Sequence, residues 1–331
     1  MTSTSDHGLP SRSLLIRADS GAHRGAGHVM RCLAVAEAAT ELGWRVHLSA
    51  DLSALSWVQP WIESLGVETV QPLDTVTALW GLAKEIHADA ILLDHYDFPN
   101  TLSAADAGNV LMANFEDGEF GRRSAHLSID YALGAETRRR PDDGSMRCLR
   151  GIRYAPIRSE IRAGRLSRPE VGWEPVREQP DVVVVMGGTD AHDLAAMIGA
   201  MVADVGGHVL PVETGLSRLS QLQQADAVIS AAGVSAYELA HLGIPAALLQ
   251  IADNQAANYA AMVAAGAVTG LGTTTELHDI RALVAERMRD WLSDPAGMAA
   301  TARTGQRLVD GDGAARIITA LAATRQSMRR R

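Results

Sequence analysis

The chain alternates short apolar runs with longer stretches in which apolar residues recur every three or four positions. In the first half the runs at 14–18, 46–50, 67–71, 90–94, 110–114 and 127–129 read as strands. Helical patterns at 29–42 and 75–87 lie between them. The second half repeats the alternation, with strands expected at 182–186, 209–212, 227–230 and 246–249. "DVVVVMGG" and "DAILLD" hold unbroken apolar runs, as strands buried on both faces of a parallel sheet do. Strands alternating with helices predict parallel sheets covered on both sides. From Leu283 to Thr324 the pattern is helical throughout, with stretches at 281–292, 297–308 and 314–323.

The alternation breaks between Arg162 and Asp181, where "RAGRLSRPEVGWEPVREQPD" has prolines, charges and no period. The expected organisation is a tail at 1–12, a domain at 13–165, a linker at 166–180 and a second domain at 181–325. The fold class is α/β, with two doubly wound, Rossmann-like domains facing a cleft and helices at the C-terminus. The opening residues are polar and lack the apolar segment of a secretory signal. The closing "RQSMRRR" reads as a loose end. In open α/β sheets, ligands bind beyond the carboxyl ends of the strands. The loops after Ile16, Leu93, Met186, Ser230 and Leu249 should therefore line one cleft.

A length of 331 residues suits two domains. The formal charge of −9 gives no bulk attraction to nucleic acid or to an anionic membrane. No apolar run reaches the roughly 18 residues of a membrane span. Cys32 and Cys148 have no metal-ligand spacing, no metal is assigned, and two isolated cysteines suit a reduced, cytoplasmic protein. Cys32 lies inside the first helix pattern and reads as a small core residue.

Four stretches carry candidate chemistry. In "RADSGAHRGAGHVMRC" a strand leads through a glycine-rich loop into a helix. Gly25 and Gly27 allow close backbone approach, and the helix start favours an anion. No GxGxxG and no Gly-Lys-Ser/Thr is present. Asp19 and Arg24 join these glycines as candidate substrate contacts. His28, at the helix start, is either a local packing residue or a general acid or base kept neutral by the helix N-terminus. In "LLDHYDFP" a buried strand ends in Asp94, His95 and Tyr96; His95 or Tyr96 could face a substrate. The plainer alternative is that Asp94 caps the next turn and His95 faces solvent. In "VVVVMGGTDAHD", Gly187 and Gly188 allow close approach and Thr189 stands before a helix. The fourth stretch is "DAVISAAGVSAYELAHLGIPAALLQIADNQAANYAAM". It places Ser230, Ala231, Ala232, Gly233, Val234 and Ser235 at a helix start suited to a diphosphate. Glu238 follows on that helix, placed for a ribose, and Asn254 and Gln255 open the next.

The second half resembles the nucleotide-binding domain of GT-B glycosyltransferases, the superfamily of the GlcNAc transferase that forms lipid II. From Leu14 to Ala323 the chain more closely resembles the UDP-sugar hydrolases of pseudaminic acid biosynthesis. Five motifs occur in that family's order: "RADSGAHRGAGHVMRC", "LLDHYD", "NFEDGEF", "CLRGIRYAPIRSEI" and "MGGTD". The resemblance implies a catalytic base at His28, a sugar contact at Tyr96, a ribose contact at Glu238, and phosphate and sugar contacts at Asn254 and Gln255. It implies hydrolysis of a small-molecule UDP-sugar with no cofactor. His23 and Arg24 stand where that family has a different loop, which points to a different sugar. A glycosyltransferase using an acceptor hydroxyl is the first alternative, and a non-catalytic nucleotide-sugar-binding protein is the second.

Overall fold

The computed structural model describes residues 12–20, 26–99, 108–166, 179–187, 194–211 and 218–330. Two parallel sheets form among them. The first contains β1 (Ser13–Ala18), β2 (Arg45–Ser49), β3 (Glu68–Val70), β4 (Ala90–Asp94), β5 (Leu111–Phe115), β6 (Leu127–Asp130) and β7 (Cys148–Arg150). Its spatial order is β3-β2-β1-β4-β5-β6-β7. The second contains β8 (Asp181–Val185), β9 (His208–Val209), β10 (Ala227–Ala231), β11 (Ala246–Gln250) and β12 (Thr269–Thr273), in the order β12-β11-β10-β8-β9. The fold is α/β and doubly wound in both halves.

Helices α1 (Gly27–Glu41), α2 (Gln59–Ser64) and α3 (Val76–Glu85) accompany the first sheet, and α4 (Ser159–Leu166) leaves it to pack on helices of the second half. Helices α5 (Leu194–Asp204), α6 (Arg218–Gln224), α7 (Val234–Leu242) and α8 (Ala256–Ala264) accompany the second. They are followed by α9 (Thr274–Asp279), α10 (Arg281–Leu292), α11 (Pro295–Leu308) and α12 (Gly313–Arg329).

Strand order sets where a site can form. In the first sheet the chain reverses direction between β1 and β4, which pair with Ala18 opposite Asp94. In the second it reverses between β8 and β10, which pair with Val185 opposite Ser230. A crevice opens at each such switch point because the flanking loops run to opposite faces of the sheet.

Two strands escaped the sequence pattern. β7 has three residues and ends on a half-buried arginine, so it shows no alternation. β12 reads "TGLGT", and its two glycines erase the apolar signal. The C-terminal helices are also interrupted. Pro295 opens α11, where Asp294 accepts a hydrogen bond from the Gly297 N–H at 2.9 Å. A turn at 309–312 then separates α11 from α12. The expected loose end is instead the last part of α12, where Arg329 donates to Asp89 at 2.8 Å. The tail at 1–11 and most of the expected linker lie outside the described residues.

α12 returns to the first domain. It packs on α1 and β5 and meets the 3-10 turn at Ile152–Tyr154. Gly313 starts this helix directly against the backbone of Tyr154 and Ala155. A Cβ there would overlap the Ala155 carbonyl, and backbone cannot swing aside as a side chain can. Gly81, within α3, has no atom within 4 Å of where a Cβ would lie. Gly313→Ala is expected to lower stability by about 1–3 kcal/mol. Gly81→Ala should raise it by about 0.5–1 kcal/mol. Thermal and denaturant unfolding of the two variants checks the contrast, and equal shifts would contradict the close approach at Gly313.

Candidate functional site

The crevice of the first sheet is occupied by a buried ionic cluster centred on Asp94. This carboxylate has no solvent exposure. Its Oδ1 lies 2.6 Å from His28 Nδ1 and 2.6 Å from Arg31 Nη2. Its Oδ2 accepts from Arg31 Nε at 2.6 Å and from the Cys32 thiol at 3.5 Å. His28, Arg31 and Cys32 are spaced three and four apart on α1, so they share one helix face. The β1–β4 register sets the end of β4 beside that face.

Arg31 reaches further. Its Nη1 donates to both oxygens of Asp117 and to the Tyr131 hydroxyl, each at 2.9 Å. The guanidinium also stacks over Phe115 and Tyr131, 5.0 and 5.4 Å from the ring centroids. Asp117 in turn accepts from the Tyr96 hydroxyl. The Tyr96 and His28 rings meet edge to face with centroids 4.6 Å apart.

Electrostatics follow from this packing. Burial acts to raise the Asp94 pKa, but Arg31 and then His28 outweigh it and hold the carboxyl well below its usual range. Burial acts to lower the Arg31 pKa, and Asp117 and Asp94 reverse the sign. Burial, then Asp117, pushes the Tyr96 phenol far up, so it stays protonated. His28 Nδ1 is close to two groups that make opposite demands. The Asp94 carboxylate requires an N–H there, whereas Arg31 Nη2, 3.2 Å away, would require a lone pair. The shorter contact to an acceptor-only carboxylate decides it: Nδ1 carries the proton and Nε2 is the acceptor. The expected field on His28 was that of the helix N-terminus. The charge in contact with the ring is instead the buried Asp94 carboxylate.

The second domain closes over this cluster. Asn254, in the turn Asp253–Gln255, donates from Nδ2 to the Tyr96 hydroxyl at 2.9 Å. Glu238 accepts from Arg158 Nε at 2.9 Å. Tyr131 and Tyr237 meet edge to face with centroids 5.2 Å apart. A Cβ added at Gly27 would lie 3.7 Å from Val234 Cγ2, so the starts of α1 and α7 are close neighbours.

Several expected site residues behave differently from the sequence reading. Asp94 is not a turn cap; it orients His28. His95 turns neither to solvent nor to His28. Its Nε2 lies 3.6 Å from Asp19 Oδ1, and its ring packs edge-on against Phe98. Burial lowers its pKa, and Asp19 offsets part of the effect. Ser230 is a strand residue with no exposure, and its hydroxyl donates to the Ala231 carbonyl at 3.2 Å. Its side chain is therefore turned into the sheet, and Ala231 and Ala232 are buried beside it. Gly233, Val234 and Ser235 form the start of α7. Gln255 folds back, accepting from the Ile251 N–H at 3.0 Å. Gly187 has φ +93°, a conformation that favours glycine. Arg24, Gly25, Gly188 and Thr189 lie outside the described residues.

Arg31, Asp117, Tyr131 and Arg158 were missed as functional residues. Arg31 had a readable signal, three positions after His28 on a helix; the others are too distant in sequence to be paired with it. Among the described residues no cluster of three or more His, Cys, Asp or Glu is placed to hold a metal, and no helix is long and apolar enough to cross a membrane.

The sequence matches no family model and no curated protein. Solved structures share the fold across nearly the whole chain. One is MurG of Acinetobacter baumannii, 14% identical, with a TM-score of 0.61, covering 95% of this chain and 100% of that one. Another is CalG4, the calicheamicin glycosyltransferase, 15% identical, TM-score 0.60, covering 95% and 99%. A third is the Streptomyces sp. SF2575 glycosyltransferase SsfS6 complexed with thymidine diphosphate, 16% identical, TM-score 0.57, covering 94% and 99%. The fold is thus that of GT-B glycosyltransferases.

Near the cluster, at the end of β6, burial raises the Asp130 pKa to about 6, with Arg138 offsetting part of the effect. An unfolded aspartate titrates near 3.9. The folded state therefore binds more protons between about pH 4 and 6, and this residue lowers stability as pH rises through that window. Asp130→Asn keeps the acceptor for the Ala132 N–H. It is expected to raise stability at pH 7 by up to about 3 kcal/mol, with no gain at pH 3.5. Unfolding at the two pH values checks this.

Proposed function

We propose that this chain is a nucleotide-sugar enzyme in which His28 deprotonates an oxygen nucleophile that attacks the anomeric carbon. The observation that carries this reading is the His28–Asp94 pair at the switch point of the first sheet, opposite the start of α7 in the second. With Nδ1–H fixed by a buried carboxylate, Nε2 is the free base, and the imidazolium that forms is stabilised by Asp94.

The remaining residues divide between leaving group and sugar. Negative charge grows on the nucleoside diphosphate as the glycosidic C–O bond breaks. The free N–H groups at the start of the nine-residue α7 would receive that charge. Glu238, held at one oxygen by Arg158, would accept the ribose hydroxyls. Tyr96 and Asn254, hydrogen-bonded across the cleft, would face the sugar together with Gln255. A base in one domain and the departing nucleotide in the other place attack and departure on opposite faces, so the anomeric centre inverts.

The fold neighbours described as glycosyltransferases support an acceptor hydroxyl as the nucleophile, and the one complexed with thymidine diphosphate supports a pyrimidine nucleotide. Water is the second reading. It is favoured by the five motifs shared with UDP-sugar hydrolases and by the setting of His28, 7% exposed and edge-on to Tyr96, which suits a small nucleophile.

Incubation with UDP-, dTDP-, GDP- and CDP-sugars in ¹⁸O-labelled water, without acceptor, separates the readings. Release of free sugar carrying the label means hydrolysis, and turnover only with an added hydroxyl compound means transfer. Label in the nucleotide would overturn attack at carbon and the role given to His28. His28→Asn should lower kcat by about 10²–10⁴-fold with nucleotide binding unchanged. Glu238→Ala should weaken nucleotide binding by about 1.5–3 kcal/mol in titration calorimetry.

A further inference from the structure

One arginine of "CLRGIRYAPIRSEI" links α1 of the first domain to α7 of the second. Arg158 is buried, 6% exposed, just before α4. Its Nε donates to Glu238 Oε1 at 2.9 Å and its Nη1 to Glu160 Oε2 at 3.0 Å. Burial acts to lower its pKa, and Glu238 and then Glu160 reverse the sign, so it stays charged. The backbone beside it is pinned from α1. Buried Glu37 accepts from the Ser159 N–H and from the Ser159 hydroxyl, each at 2.6 Å. The helix that starts at His28 thus also fixes the place from which Arg158 reaches α7. On α7, Val234 and Glu238 stand at i and i+4, so they share a face and lie about 6 Å apart along the axis. A diphosphate at the start of α7 would put its ribose one turn further along. The Glu238 side chain keeps 13% of its surface exposed. Among the described residues, Arg158 is its one hydrogen-bond donor. A carboxylate offers about four acceptor sites, so most of Glu238 is left for the donors of a ligand.

We propose that Arg158 is the positioning residue of the nucleotide site: it fixes Glu238 by one oxygen, presents the rest of the carboxylate to a vicinal diol, and so selects a ribonucleoside diphosphate over its 2′-deoxy counterpart. This rests on the reading of Glu238 as the ribose contact. A ribose brings two O–H donors to the carboxylate and a 2′-deoxyribose brings one, and bonds to a charged acceptor are the stronger kind. A free glutamate would lose rotamer freedom on binding, and the ion pair has already removed it. The planar guanidinium spans Glu238 and Glu160 in one fixed geometry, which the point charge of a lysine cannot do. A loosened carboxylate weakens both bonds to a ribose but only the single bond to a 2′-deoxyribose. Loss of Arg158 therefore lowers the ratio of the two affinities, whereas a general loss of packing would weaken both nucleotides alike.

Titration calorimetry of the full chain with UDP, CDP, GDP and ADP, each beside its 2′-deoxy counterpart, tests this without turnover. In the wild type at least one pair should bind, with the 2′-deoxy form weaker by about 10-fold or more. Glu238→Ala should bring that ratio to about one. Arg158→Met, which keeps an apolar stem and removes the donors, should lower the ratio by about threefold or more. In Arg158→Met/Glu238→Ala the ratio should match that of Glu238→Ala, because Arg158 acts through Glu238. Should Arg158→Met fail to fold, Arg158→Lys, which keeps the charge without the fork, decides by the same fall. Binding of no pair, equal binding of both members by the wild type, or a ratio unchanged in Glu238→Ala would overturn the ribose reading and the proposal with it. A ratio that falls in Glu238→Ala but holds in the Arg158 variant, or a double variant displaced beyond Glu238→Ala, would overturn the positioning role alone.

Discussion

The site depends on the burial of one carboxylate. An isolated ionised carboxylate in a protein interior costs several kcal/mol, and removing one partner of a buried pair is strongly destabilising. Asp94 is buried at the end of a parallel strand and is held there by Arg31 and His28. Much follows from that requirement. The β1–β4 register must put Asp94 opposite Ala18. α1 must present His28 and Arg31 on the face turned toward β4. The Arg31 donors not used by Asp94 then need acceptors, which Asp117 and Tyr131 supply. A change at any of these positions is felt by the others through shared hydrogen bonds.

The same cluster joins the two domains. Tyr96, bonded to Asp117, also accepts from Asn254 of the second domain. Tyr131, bonded to Arg31, packs against Tyr237 of α7. Tyr237 donates to Asn258 at 2.6 Å, and Asn258 donates to the Ala232 carbonyl at 3.1 Å. The loop that opens α7 is thus tied to the Asp94 cluster through aromatic and polar contacts. On the far side of the cleft Arg158 holds Glu238. It also pairs with Glu160 at 3.0 Å. α12 adds an apolar tie by packing its buried Ile317, Ile318 and Leu321 on the first domain.

The backbone plan and the catalytic candidates were legible in the sequence for local reasons. A strand buried on both faces must be apolar along its whole length, and β4, β8 and β10 announce themselves that way. Glycine at a helix start and a histidine one residue later are adjacent in the chain, so "GAGH" marked His28 as a candidate, and the resemblance implied its role as a base. Gly233 before α7 and the pair Asn254 and Gln255 were readable for the same reason. The short edge strands β7 and β12 were not, because a strand of three residues or one rich in glycine has no period to detect.

What His28 touches was decided by tertiary structure. Its partner Asp94 lies 66 residues away, and Arg31 meets Asp117 across 86 residues. Nothing in "LLDHYD" distinguishes an aspartate that caps a turn from one that orients a histidine, and nothing in "NFEDGEF" assigns Asp117 to an arginine on α1. Only the order of strands in the sheet does so. Placing β4 beside β1 and β5 beside β4 brings the ends of three distant segments to one crevice. The sequence by itself determined which residues could carry charge and which strands had to be buried. The folded sheet decided which charges share a dielectric too low to leave any of them alone.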